Sequence, residues 1–308
     1  PKIDISGVDH NEFPKTLLEK FYHAYNTYGF GYIINHEIEK DLIDQLFQAS
    51  KTFHSLPLSE KMKVALDDNH RGYIAINTST DVNSKLAEVK KPNQSASFMM
   101  MREDKAQIAN VYLSGSNQWP EIAGFRETLE KYTSQMTKLG KKLMKLSLMS
   151  AGIKDHSILN SFETPTIWLR LLHYPSIPKS SPNDLYGSAP HTDFGCLTIL
   201  TQDGIGGLQV QTKNGDWIDI PKVEGSFVVN VGDMLHRLTN GLLRSTPHRV
   251  INKSGQERFS CPFFFDPHVN TNIQPLQGTG KPKFSPINFG EFLKTELEAS
   301  YQRHKNHS

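Results

Sequence analysis

The second half of the sequence consists of short β-type segments that are separated by Gly, Pro, Asn and Asp. These segments cover residues 166–174, 196–201, 207–211, 217–220, 226–231, 248–252 and 258–265. Strands this short and this evenly spaced are typical of a closed sandwich or barrel. Asn214-Gly215 lies between two of the segments and predicts a tight hairpin turn.

The first half has helical periodicity instead. Apolar residues recur every three or four positions over about 39–56 and again over about 121–151, and a last helix is predicted over about 289–301, packed across the outside. We interpret the chain as one integrated α+β domain. In it, 1–120 is a largely helical N-terminal region, 121–165 a supporting helix and link, 166–270 the β core, and 271–308 a C-terminal extension and helix.

Composition excludes several classes of function. The net charge of the 308 residues is +2 and no basic block is present, which argues against a nucleic-acid partner. No apolar stretch approaches the roughly 20 residues that a membrane span requires. The two cysteines, Cys196 and Cys261, are too few for a disulfide framework and are expected to be reduced core residues. We expect a monomeric cytoplasmic protein whose partner is a small molecule.

His191-Thr192-Asp193 is the first candidate for a metal site. Residues i and i+2 of a strand share a face, so this imidazole and this carboxylate can point to one centre, with His248 supplied by a later strand. Two imidazoles and one carboxylate leave positions on Fe(II) open for a chelating co-substrate and O2. Chance alone yields about 0.7 His-x-Asp triplets at this composition, and a single strand histidine is more often a hydrogen-bonded core residue.

Arg258 and Ser260 form a second i, i+2 pair, ten residues beyond His248. A guanidinium inside a barrel requires an anion, because an unpaired buried charge is costly. The distal carboxylate of 2-oxoglutarate would satisfy Arg258, with a hydrogen bond added by Ser260. The alternative is an ordinary Arg–carboxylate ion pair beside a core serine.

These motifs together resemble those of the 2-oxoglutarate/Fe(II)-dependent dioxygenases of the isopenicillin N synthase-like type. The resemblance extends over nearly the whole chain, in order. It rests on Gly29 to His36, Phe53 to Lys61, Arg71-Gly72-Tyr73, Asn117-Gln118-Trp119-Pro120, His191-Thr192-Asp193, Gly232-Asp233, Thr239-Asn240-Gly241, Ser245 to Val250 and Arg258-Phe259-Ser260.

The resemblance implies a double-stranded β-helix, or jelly-roll, core. It also implies that Tyr174, just before Pro175, contacts the co-substrate, although packing in the barrel wall is the alternative role. Family members often carry Asn two residues before this Tyr, where this chain has Leu172, so one hydrogen bond near the metal-chelating end of the co-substrate is missing or is supplied by another residue. We expect His173 and His236, the other histidines of the barrel, to lie outside the site. Arg244 and Arg249 are expected to be structural or solvated, and Gly232-Asp233 is expected to be a turn between strands.

The activity implied by the resemblance is oxidation of a small organic substrate coupled to conversion of 2-oxoglutarate and O2 into succinate and CO2. Hydroxylation is the usual outcome, and desaturation or cyclisation are variants. Fe(II) is the metal, with ascorbate as a possible reductant. The alternatives are an Fe(II) oxidase of the same fold that does not use 2-oxoglutarate, and a non-catalytic metal-binding jelly roll.

The resemblance places the substrate between the mouth of the barrel and the N-terminal region. The candidate contacts are Phe98, Met100, Trp168, Arg170, Tyr186 and Phe264, and more broadly the run Phe98 to Met101 and Phe265. Strand alternation requires at least one of the three consecutive methionines to face away from a pocket. Arg170 could bind a substrate carboxylate or form a structural ion pair. We expect an apolar or mixed small organic molecule.

Overall fold

The computed structural model describes residues 1–8, 12–79, 86, 91–182 and 184–305, with side chains as far as residue 298. The helices are α1 (Lys15–Thr27), α2 (Lys40–Ser55), α3 (Leu58–Met62), α4 (Phe125–Ser150), α5 (Asp233–Leu238) and α6 (Phe289–Lys305), with a 3-10 helix at Ser157–Phe162. The strands are β1 (Lys2–Asp4), β2 (Phe30–Ile34), β3 (Gly72–Ile74), β4 (Ala96–Met101), β5 (Thr166–Tyr174), β6 (Ser188–His191), β7 (Leu197–Gln202), β8 (Leu208–Gln211), β9 (Trp217–Asp219), β10 (Ser226–Val231), β11 (His248–Val250), β12 (Arg258–Asp266), β13 (Asn272–Ile273) and β14 (Ile287–Asn288).

Two facing sheets form the core. The larger has eight strands in the order β1-β2-β10-β7-β12-β5-β4-β3, and the smaller has four in the order β6-β11-β8-β9. Every pairing within them is antiparallel except β1 with β2. Residues of both sheets line one cavity between them. The predicted α+β fold with a jelly-roll core is confirmed.

Strand alternation divides the side chains of β12 between the cavity and the helical layer. Arg258, Ser260 and Phe264 line the cavity, whereas Phe263 and Phe265 face the other way and are fully buried. The ring of Phe265 packs against Gly140 of α4, where an added Cβ would lie 2.6 Å from the ring. Gly140 therefore allows α4 to approach the large sheet closely and support the strand that carries Arg258.

The helices lie close to their predicted positions. The helix predicted over 39–56 is α2, and the one predicted over 121–151 is α4, which begins four residues later. The delay has a local cause, because Gly124 at the N-cap adopts φ 73°, a left-handed conformation that a helix cannot include. The hairpin predicted at Asn214-Gly215 joins β8 to β9. Among the described residues, no helix is both long enough and apolar enough to cross a membrane.

Candidate active site

Three side chains with metal-ligating atoms converge between the two sheets. His191 ends β6 and lies directly opposite His248, the first residue of β11, in the antiparallel pair. Their Nε2 atoms lie 3.7 and 3.6 Å from Oδ1 of Asp193, respectively. One ligand atom from each of the three residues falls within 4.8 Å of the others, so the group could hold a single metal ion.

Backbone carbonyls orient both imidazole rings. Nδ1 of His191 lies 2.7 Å from the carbonyl oxygen of Ala189, and Nδ1 of His248 lies 3.2 Å from that of Thr246. Because a carbonyl oxygen can only accept, each Nδ1 carries the proton in the neutral ring and each Nε2 presents a lone pair. Both lone pairs belong to the atoms that face Asp193, as metal ligation requires.

Asp193 is held by two neutral donors that the sequence analysis did not identify. Asn230 Nδ2 donates a 2.7 Å hydrogen bond to Oδ2, and the Thr198 hydroxyl donates a 2.5 Å bond to the same oxygen. Burial alone would raise the pKa of Asp193, but His248 and His191 and these two donors outweigh burial and lower the pKa below its usual value. Oδ2 is thus occupied, and the ionised carboxylate directs Oδ1 toward the histidines.

Arg258 is a buried cation at the opposite end of β12 from Asp266, with only 1% of its surface exposed. Its Nη1 donates to Ser260 Oγ at 3.2 Å, Nη2 donates to Gln202 Oε1 at 3.0 Å, and Nε has no partner. The guanidinium carbon lies 4.6 Å from the ring centre of Tyr174, the residue opposite on β5. In the described part of the chain Arg258 forms no ion pair, so an anionic ligand would compensate its charge.

The histidines, Asp193 and Arg258 line the same cavity, which has a volume of about 860 Å³. Of the predicted substrate contacts, Trp168, Arg170 and Phe264 also line it. A cavity of this size is large enough for a co-substrate and a further small organic molecule.

The prediction that Phe98 and Met100 line the cavity is wrong. Met99 is the residue of β4 that faces it. Phe98 lies on the opposite face, with its ring 5.0 and 5.2 Å from those of Phe53 and Phe125, and Met100 is buried in the same helical core. The prediction placed the wrong alternate residues of β4 on the cavity side. Because side chains alternate along a strand with a period of two, an error of one residue exchanges the two faces for every side chain.

Two other candidates also lie away from the cavity. Tyr186 is not among the residues that line it, and its ring centre lies 5.9 Å from the guanidinium carbon of Arg249. Phe265 is fully buried on the helical face of β12, stacked at 5.4 Å on Phe162.

The residues that we expected outside the site have structural contacts. His173 stacks on Phe259 at 4.9 Å, and His236 hydrogen-bonds the Leu243 carbonyl through Nδ1. Arg244 donates to the carbonyl of Thr27, and Arg249 donates to Gln209. Gly232-Asp233 differs from the expected turn, because Asp233 begins α5 and also lines the cavity.

Helix α6, which was predicted to pack across the outside, also contributes to the cavity. Phe292, Leu293, Glu296 and Leu297 line the cavity, and the ring of Phe292 meets that of Phe194 at 6.2 Å. Their i, i+3/i+4 spacing is visible in the sequence, but nothing there indicates which sheet end the helix covers.

The facing sheets, the two histidines with one carboxylate and the separate buried arginine together define the non-haem iron oxygenase class of jelly-roll proteins. Comparison with known proteins gives the same result. Residues 166–267 match the family model of the 2OG-Fe(II) oxygenase superfamily, and residues 1–122 match the N-terminal region of the non-haem dioxygenase in morphine synthesis.

Individual relatives align over most of the chain. A probable iron/ascorbate oxidoreductase of Dictyostelium discoideum is 38% identical, with 90% of this chain and 84% of the relative covered. The 2-oxoglutarate-Fe(II) type oxidoreductase hxnY of Emericella nidulans is 34% identical, with 89% and 82% covered. The crystal structure of a full-length Neurospora crassa protein in complex with alpha-KG and thymine superposes with a TM-score of 0.85, at 30% identity and 98% and 97% coverage.

The chain belongs to the 2OG-Fe(II) oxygenase superfamily. It is an Fe(II)- and 2-oxoglutarate-dependent oxygenase that acts on a small organic molecule. The resemblance drawn from the sequence is therefore confirmed.

Proposed function

We propose that His191, Asp193 and His248 bind the catalytic Fe(II), and that Arg258, Ser260 and Tyr174 bind 2-oxoglutarate. The observation that carries the proposal is the convergence of three ligand atoms in a cavity that also contains a buried arginine without an ion-pair partner among the described residues. When bound, Fe(II) supplies the activation of O2 that couples decarboxylation of 2-oxoglutarate to substrate oxidation.

At the iron end, His191, Asp193 and His248 would hold Fe(II), and a metal held by three protein ligands could also bind the co-substrate and O2. Asn230 and Thr198 keep the Asp193 carboxylate from rotating, because both donate to Oδ2. The edge of Phe30 contacts His248, with ring centres 5.3 Å apart, and fixes that ring from the side.

At the co-substrate end, the Arg258 guanidinium pairs with the distal carboxylate of 2-oxoglutarate. Ser260 and Gln202 orient the guanidinium by accepting hydrogen bonds from it, and the ring of Tyr174 packs against it. Leu172 lines the cavity where many family members have Asn, so that position provides no hydrogen bond to the co-substrate. Leu200, Leu208 and Val250 are apolar side chains that also line the cavity, and they limit the contact of the site with water.

Anaerobic titration of the apoprotein with Fe(II), followed by 2-oxoglutarate, tests these roles. We expect one iron per chain, one 2-oxoglutarate per iron, and succinate release when O2 and a substrate are admitted. Alanine at His191, Asp193 or His248 should abolish iron binding and turnover while the fold is retained. Wild-type iron stoichiometry in all three variants would refute the metal assignment. Turnover that is supported by ascorbate in the absence of 2-oxoglutarate would favour the oxidase alternative. We expect the product of turnover to be the hydroxylated substrate.

We also propose that residues 1–120, 121–165, 166–270 and 271–308 form one integrated domain of a monomeric cytoplasmic protein that does not bind nucleic acid. Strands β2 and β4 of the N-terminal region pair with β10 and β5 of the core, which supports a single unit. Cys196 and Cys261 are buried free thiols, and burial raises the pKa of each. Light scattering after size exclusion, and one cooperative melting transition, test the monomer and the single domain.

A further inference from the structure

Arg170 and Arg258 are the two cations, other than histidines, among the described residues that line the cavity. Arg170 lies on β5 four residues before Tyr174, which is roughly 13 Å along an extended strand. Tyr174 is the residue that pairs with Arg258. The backbone positions of Arg170 and Arg258 are therefore well separated along the same wall of the cavity. We infer that the distal carboxylate of 2-oxoglutarate, which pairs with Arg258, does not also neutralise Arg170.

The charge of Arg170 is poorly compensated by the protein. Its Nη2 donates a 2.9 Å hydrogen bond to the hydroxyl of Ser97, while Nε is buried without a partner. An arginine has five N–H donors. Among the described residues, Arg170 donates to the neutral hydroxyl of Ser97 and forms no ion pair with a carboxylate. The structural ion pair that was the alternative role for Arg170 is therefore absent from the described part of the chain.

Aromatic side chains line the same cavity as this cation. Trp168 precedes Arg170 by two residues on the same strand face, and its ring centre lies 6.4 Å from that of Phe264 in an edge-to-face arrangement. Phe194 and Phe292 form a second edge-to-face pair on the cavity wall, at 6.2 Å. Such walls favour a ligand with a flat or apolar body beside its charged group.

We propose, resting on the function proposed above, that the substrate is a small carboxylic acid with an aromatic or otherwise apolar body, and that Arg170 binds its carboxylate. A carboxylate matches the planar donor fork of arginine.

Matched probes test the inference on the anaerobic enzyme loaded with Fe(II) and 2-oxoglutarate. The probes are 3-phenylpropanoate, its primary amide, phenyl phosphate and thymine, and calorimetry measures their dissociation constants. The acid should bind at least about 30-fold more tightly than the amide, because loss of one partner of an enclosed charge pair has an effect of that order. It should also bind more tightly than phenyl phosphate and thymine.

Substitution of Arg170 tests whether this residue causes the preference for the acid over the amide. In Arg170→Leu the ratio of acid to amide affinity should fall to near one, and Arg170→Lys should retain part of it, with iron and 2-oxoglutarate stoichiometry unchanged in both. Should Arg170→Leu fail to fold, Arg170→Gln provides the same comparison. Equal binding of acid and amide by the wild type, a preference for phenyl phosphate or thymine, or a preference unaffected by replacing Arg170 would overturn the inference. Failure of iron or 2-oxoglutarate to bind the wild type would instead refute the proposed function.

Discussion

Asn230 donates a 2.7 Å hydrogen bond to the Asp193 oxygen that faces away from His191 and His248. Both residues are buried, so loss of this donor would leave a buried carboxylate oxygen with one hydrogen bond fewer. The bond leaves Oδ1 as the oxygen presented to a metal. A buried polar residue on β10, in a run that is otherwise apolar, thus has a positioning role at the site.

The change Asn230→Leu should weaken iron binding by about 10- to 100-fold, the range typical for loss of a residue that orients a metal ligand. The effect should appear in anaerobic iron titrations, with the 2-oxoglutarate affinity of the iron-saturated protein nearly unchanged. Asn230→Asp provides a second comparison, because it keeps the shape but places a carboxyl group against Asp193. Iron affinity equal to wild type in Asn230→Leu would show that Thr198 alone is sufficient.

Much of the site could be predicted because the sequence separates its residues by two. Arg258 and Ser260 both lie on β12 and satisfy the period of a strand, so they share a face whatever the neighbouring strands are. His191 and Asp193 were predicted in the same way, but β6 ends at His191, and Asp193 reaches the same centre from the segment that follows the strand. The partners Asn230 and Gln202 could not be predicted in the same way, because their positions depend on which strands pair. An Asn inside the otherwise apolar run 227–231 is a usable signal for a buried hydrogen bond, but it does not identify Asp193 as the acceptor.

Arg258→Gln should separate co-substrate binding from metal binding. Removing the charge from a buried pair costs about 2–5 kcal/mol, so 2-oxoglutarate should bind at least about 30-fold more weakly while the iron stoichiometry stays at one. Tyr174→Phe is the matched control, because it keeps the ring that packs on the guanidinium and removes only a hydroxyl, worth about 1 kcal/mol. Equal effects of the two variants in a 2-oxoglutarate titration would contradict the assignment of Arg258.

His54 of α2 should make the protein less stable in mild acid. Burial lowers the pKa of His54 to about 3, despite the hydrogen bond of its Nε2 with the carbonyl of Leu171. Between the unfolded value of 6.5 and about 3 the unfolded chain binds one more proton at this residue, so stability falls as pH falls through that window. The loss between pH 6.5 and 5 is about 2 kcal/mol.

Melting temperatures at pH 7 and pH 5 test the role of His54. The difference between them should shrink by several degrees in His54→Gln, which removes the titrating ring. His23→Gln, on the exposed face of α1, is the control and should leave the difference as it is in the wild type. An unchanged difference in His54→Gln would assign the acid sensitivity to other groups.

Met99 and Met100 are adjacent on β4, equally buried at 2% exposure, and oriented to opposite sides of the sheet. Met99 faces the cavity beside Arg170, its partner in the strand register, whereas Met100 packs in the helical core. Met100→Ala should therefore destabilise the fold by about 2–5 kcal/mol, as a large-to-small change in a packed core does, and leave kcat/KM of the folded enzyme nearly unchanged. Met99→Ala should change kcat/KM and the substrate preference at a smaller cost in stability, because the cavity already borders its side chain.

Measuring melting temperature and kcat/KM on both variants compares two residues of the same type at consecutive positions. The reverse pattern, with Met100 controlling kcat/KM, would restore the strand face predicted from the sequence and contradict the register of β4 with β5.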